Sequence, residues 1–117
     1  MSKKNKDDEI DLEVSIEHLR AARRKLRDID EDELDHLPPE QQHEWARSVQ
    51  VLSVAITKLE TTDLQNLSAE FVKREPELRG AAANLDDDLT QLTDAVEMIN
   101  VASAAVETVT EIVSLLA

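Results

Sequence analysis

The chain has no cysteine and no tyrosine, and only one glycine, three prolines, one tryptophan and one phenylalanine in 117 residues. Without cysteine there can be no disulfide framework, no thiol nucleophile and no cysteine-ligated zinc or iron–sulfur site. A single glycine excludes the phosphate-cradling loops of the GxGxxG and GxxxxGK kinds. So few turn formers argue against a β-sandwich or barrel. Cations are also scarce: 13 Lys and Arg stand against 26 Asp and Glu, a net charge of −13. This balance opposes direct contact with nucleic acid, whose phosphates need a basic face, and contact with anionic membrane surfaces. It favours a basic protein partner reached through electrostatic steering. Acids Asp7, Asp8 and Glu9 follow the basic start, where a secretory signal would have an apolar run. The longest charge-free apolar window, Met98 to Val106, ends before Glu107 and Glu111 and is too short to span a bilayer. The expectation is a cytoplasmic protein that engages no membrane.

Apolar residues make up 41% of the chain, and they recur at helical spacing. Leu12, Ile16, Leu19, Ala22, Leu26 and Ile29 line one face of a helix over about residues 9–35. His36-Leu37-Pro38-Pro39 breaks it, since a residue before proline leaves the α region and Pro39 suits a new first turn. Trp45, Val49, Leu52, Ile56 and Leu59 then form a heptad stripe. The stripe loses phase at Thr61-Thr62-Asp63 and resumes at Leu64, Leu67 and Phe71. One long helix over 39–74, kinked there, is expected; Thr62 and Gln65 offer a capping box if it breaks. Pro76 opens the third helix, 76–117, with a small-residue elbow over 80–84. Asn84 followed by Asp86, Asp87 and Asp88 reads as a helix start, with acids on the positive end of the dipole. Leu85, Leu89, Leu92, Val96 and Ile99 continue as a heptad stripe.

The fold expected is all-α: an elongated antiparallel three-helix bundle with coiled-coil character, forming one domain over 9–117 behind a disordered tail at 1–8. The last helix is apolar over most of its circumference, through Val101, Ala102, Ala105, Val106, Val109, Ile112, Val113 and Leu116. Such a helix must be covered on more than one side. Two neighbours of this composition do not easily cover it, so the face is expected either to fill the core of a monomer or to drive self-association, with docking on a different protein next.

Charge is segregated. Residues 80–117 hold seven acids and no base, while Arg20, Arg23, Arg24, Lys25 and Arg27 crowd into eight residues of the first helix. The acids Asp28, Asp30, Glu31, Asp32, Glu33 and Asp35 follow at once. The arginines read first as solvated ion-pair partners, each pair contributing ~0–1 kcal/mol, and next as a ridge that sets helix register within the chain or between copies.

Chemistry has few footholds. Glu33-x-x-His36 and Glu40-x-x-His43 have di-iron spacing, but they lie seven residues apart across two prolines instead of on facing helices. No catalytic residue, metal ligand or cofactor is expected, and no enzyme. The leading reading is a non-catalytic interaction module: a scaffold, accessory subunit or secretion-type chaperone, homo-oligomeric through helix faces. Its contacts would be Trp45, Val49, Leu52, Ile56, Val101, Val109, Ile112 and Leu116, oriented by Arg20, Arg23, Arg24 and Arg27. The alternative is a small acidic inhibitor, immunity protein, antitoxin or nucleic-acid mimic. It would block a basic target through Asp28, Asp30, Asp32, Asp86, Asp87 and Asp88.

Overall fold

A computed structural model describes residues 10–116. The expected tail at 1–8 lies outside them. Every regular element among the described residues is helical. The α-helices are α1 (Glu13–Arg27), α2 (Glu31–Asp35), α3 (Pro39–Thr61), α4 (Ala69–Gln91) and α5 (Ala95–Val113), with 3-10 turns at Leu64–Asn66 and Ser114–Leu116. The chain is all-α and elongated, 57 × 26 × 18 Å. It has four long helices where the sequence predicted three, and the boundaries explain why.

The phase slip at Thr61-Thr62-Asp63 is a true break. Thr62 has extended backbone, the Asp63 carboxylate accepts from Gln65 N, and the Ser68 hydroxyl accepts from Phe71 N to open α4. Asp63 and Ser68 therefore do the capping expected of Thr62. Neither Pro76 nor the 80–84 segment interrupts the next helix. Both lie inside α4, so there is no break at 75–76 and no elbow. Asn84 is likewise mid-helix instead of a cap. The actual second break is Leu92-Thr93-Asp94, where the Asp94 carboxylate accepts from Glu97 N at 3.1 Å. The spacing Leu85, Leu89, Leu92, Val96, Ile99 runs through this break and conceals it.

The four long helices alternate up and down. Trp45 reaches Leu26 and Arg20 reaches Glu60, so α1 and α3 are antiparallel. Arg74 reaches Glu111 and Ser68 reaches Leu115, so α4 and α5 are antiparallel. The two hairpins pack with α1 along α4 and α3 along α5. Glu44 meets Ser103 and Arg47 meets Glu107, which makes α3 and α5 parallel neighbours. Both hairpin turns, 28–38 and 92–94, therefore lie at one end, and the Thr62–Ser68 crossover lies at the other.

The interior is filled by Leu19, Leu26, Leu52, Phe71, Leu78, Leu85, Val106, Val109 and Ile112, all essentially inaccessible. Each such side chain contributes roughly 1.5–3 kcal/mol by leaving water. The stripes on α1 and α3 are the ones read from sequence, with Trp45, Val49 and Ile29 at the margins. On α5 the buried set runs from Ala95 and Met98 to Ile112 and Val113. The buried side of α5 is thus covered by its own chain, with α3 on one flank and α4 on the other, while Val96, Val101 and Ala105 stay half-buried at its edge. One buried charge stands out. Glu75 is 3% exposed, and among the described residues its carboxylate has one hydrogen-bond partner, Arg79 at 3.3 Å.

Continuity of α4 has a measurable consequence. An interior proline lacks the donor for the carbonyl four residues back, and a mid-helix glycine adds backbone entropy to the unfolded chain. Gly80 is exposed, with nothing near the position of an added Cβ. Pro76→Ala and Gly80→Ala are each expected to raise unfolding free energy in urea, by about 1 kcal/mol or more and about 0.5–1 kcal/mol respectively. No gain at either position would mean that α4 is broken there.

Candidate functional site

The residues singled out from sequence separate into three groups. Leu52, Ile56, Val109 and Ile112 are sealed in the core and cannot serve as surface contacts of the folded chain. Trp45, Val49, Val101 and Leu116 are half-buried at its margin. Trp45 acts within the chain, because its indole N–H donates to the Leu26 carbonyl at 2.8 Å and ties the end of α1 to α3. Gln42 does the same for the short α2, donating to the carbonyls of Leu34 and Leu37 at 3.0 and 2.9 Å. These two α3 side chains fix the first hairpin turn.

The arginine cluster, the third group, divides across the surface of α1. Arg20 pairs with Glu60, and Arg23 donates to Ser53 Oγ at 3.1 Å, so both orient α1 on α3. Arg23 is held below the usual guanidinium range, first by burial and then by the neighbouring Arg27 and Arg20. Arg24 and Arg27 are exposed, without an ion pair among the described residues, and they complement the negative end of the α1 dipole. The predicted register-setting role therefore has intramolecular partners for Arg20 and Arg23.

Among the described residues, Asp86 is the one of the three consecutive aspartates that is engaged by basic side chains. Its two carboxylate oxygens receive Nζ of Lys25 and Nδ1 of His18, each at 2.8 Å. A carboxylate only accepts, so Nδ1 carries the proton in this contact. Burial pushes Asp86 upward, but the hydrogen bonds from Lys25 and His18 together outweigh it and hold the carboxyl below its ordinary range. This cluster bridges the parallel pair α1 and α4. Sequence analysis missed it because the bridge joins two helices far apart in the chain and leaves no local spacing to read. Asp87 and Asp88 are exposed. All three lie near the C-terminal end of α4, where acids oppose the helix dipole, instead of in a first turn.

The juxtaposition that matters most lies at the turn end. Residues 28–46 hold eight acids and no Lys or Arg, and residues 84–98 hold five more and no base. The fold brings these stretches together, so half of the 26 acids crowd one end of the bundle. The α1–α2 turn and the α4–α5 turn form the walls of a shared groove. Ile29, Leu89 and Met98 lie on its floor, and Asp28, Asp30 and Glu33 on its rim. Lys25 also borders it, with its ammonium engaged by Asp86.

Two other features are smaller. An apolar groove between α3 and α5 is lined by Val51, Val54, Ala55 and Val113, with Val54 42% exposed. The helix Ala95–Leu116 is long and apolar enough to cross a membrane by length and composition, and in the fold it packs between α3 and α4. Among the described residues, no group of three or more His, Asp or Glu is placed to hold a metal ion. His36 instead bonds the Asp32 carbonyl at 2.7 Å, and His43 is exposed.

The Asp86 cluster gives a pH-dependent expectation. Its carboxyl titrates lower in the folded chain than in the unfolded one. The contribution is therefore complete above the unfolded carboxyl range of about 4, and it is lost as pH falls through the folded value. Asp86→Asn is expected to destabilise the protein by about 1–2 kcal/mol at neutral pH. The deficit should shrink below about pH 4. An equal deficit at neutral and at strongly acidic pH in urea titrations would contradict the pairing. No family model, curated protein or solved structure matches this chain.

Proposed function

We propose that this chain is a non-catalytic protein–protein interaction module that docks its acidic turn end on a basic surface of another protein. It would act as a small inhibitor, immunity-type protein or nucleic-acid mimic does. The observation that carries this reading is the gathering of thirteen acids, with no Lys or Arg in either contributing stretch, at one end of the bundle. An excess of one charge raises association rates with a complementary surface and suppresses wrong partners. Asp28, Asp30, Asp32, Asp87 and Asp88 supply the exposed contacts, while Asp86 is occupied by the α1–α4 bridge. No catalytic group, cofactor or metal takes part, and neither nucleic acid nor membrane is a direct partner.

The self-associating scaffold has weaker support. It drew on the breadth of the α5 face, and two neighbouring helices of the same chain cover part of that face, leaving Val96, Val101 and Ala105 half-buried. Its remaining basis is the apolar groove around Val54 between α3 and α5 and the half-buried residues at the edge of α5.

The test uses charge reversal that leaves the helices intact. Asp28, Asp35 and Asp87 all lie at helix C-terminal ends, where lysine suits the dipole. A partner captured on the immobilised chain is purified and its association rate measured. The wild-type rate is expected to fall about tenfold or more as salt rises from about 50 to about 300 mM. The triple variant Asp28→Lys, Asp35→Lys, Asp87→Lys should lose binding. A control with lysines added at the crossover end, Thr61→Lys with Thr110→Lys near the C-terminal ends of α3 and α5, should keep it. A partner held equally by all three proteins, with no salt dependence, would overturn the proposal.

A further inference from the structure

Charge alone would make the turn end a diffuse attractor, but the groove there has more shape than that. Its rim acids stand above an apolar floor, which a purely polar partner would leave unfilled. Ile29 is half-buried, while Leu89 and Met98 are 2% and 8% exposed, so the floor is shallow and belongs to the packed core. The rim carries Asp28, Asp30 and Glu33. The one cation on the lining, Lys25, is neutralised by Asp86 at 2.8 Å and does not repel a basic visitor. Asp30 also caps α2 and Gln42 holds the end of that helix, so the rim is supported by defined backbone.

Resting on the reading of this end as a protein-docking surface, we infer that the groove between the α1–α2 and α4–α5 turns receives an amphipathic basic segment of the partner. Such a segment presents an apolar side chain beside Lys or Arg. The apolar side chain lies over Ile29 and Met98, and the cationic heads reach the rim carboxylates. Lys and Arg suit this geometry because their stems lie along apolar surface while their charged ends stay in water. Arg can meet a carboxylate through two parallel hydrogen bonds. The groove is open and walled by helix ends, which fits one face of a short helix or an extended strand of side chains.

The test uses two synthetic peptides of equal length and equal positive charge, titrated into the isotope-labelled full chain at physiological salt. One carries Arg and Leu on a single helical face; in the other, Ser replaces each Leu. The Leu-bearing peptide is expected to bind about tenfold more tightly, shifting amide signals of Ile29, Thr90, Thr93 and Met98. Thr93→Gln, an exposed and uncharged change that adds bulk to the groove wall, should remove that advantage and leave binding of the Ser peptide nearly unchanged. Equal binding of both peptides, with shifts spread over acids at the turn end, would overturn the groove and leave the electrostatic reading intact. Failure of both peptides to bind would overturn the two together.

Discussion

The structure depends on covering α5. This helix has no Lys or Arg, and from Ala95 to Val113 its apolar residues occupy most of its circumference. Exposure of such a face would invite aggregation, and burial on one side alone would leave much of it wet. Splitting the preceding chain into three further long helices supplies the cover. Helix α3 lies along one flank, α4 along the other, and α1 closes the square by packing on both. Alternation of direction then follows from the short connections, and with it the placement of both hairpin turns at the same end. The acidic end is thus a consequence of how α5 is buried.

Electrostatics decides how the surface is divided. The bundle carries −13, and many of its few cations sit where they hold helices together. Arg20 and Arg23 join α1 to α3, Lys25 and His18 join α1 to α4 through Asp86, and Arg47 and Arg74 reach α5. Most of these pairs are partly exposed and individually modest, ~0–1 kcal/mol. At the turn end the basic residues are Arg24, Lys25 and Arg27 in the last turn of α1 and Arg47 on α3, and the thirteen acids gathered there outnumber them. Asp87 and Asp88, exposed near the C-terminus of α4, oppose its dipole, which marks them as residues the fold tolerates rather than requires.

The all-helical character and the core stripes of α1 and α3 were legible because the 3.6-residue period is directly visible in Leu12 to Leu26 and in Trp45 to Leu59. Connectivity was less so. Pro76 and Gly80 are strong local breakers, yet Phe71, Leu78, Ala82, Leu85 and Leu89 share one buried face, and packing overrides the local preference. Conversely, the break at Leu92–Asp94 sits under an unbroken heptad pattern, and only the Asp94-x-x-Glu97 spacing gives it away. The helix count set the outcome for the site. With three helices the α5 face is left wide for its neighbours; with four, α3 and α4 of the same chain pack along two of its flanks. Acid segregation was visible in the sequence, but its concentration at one end required knowing that residues 28–46 and 84–98 are neighbours.

Under the proposed function, a chain that buries its own apolar face and gathers its acids at one tip meets a basic protein as a single copy. Solution molar mass, measured by light scattering across a wide concentration range, tests this most directly. A concentration-independent mass near 13.1 kDa is the expected result. A stable dimer or larger species would show that the apolar surface is completed between chains, and would contradict it.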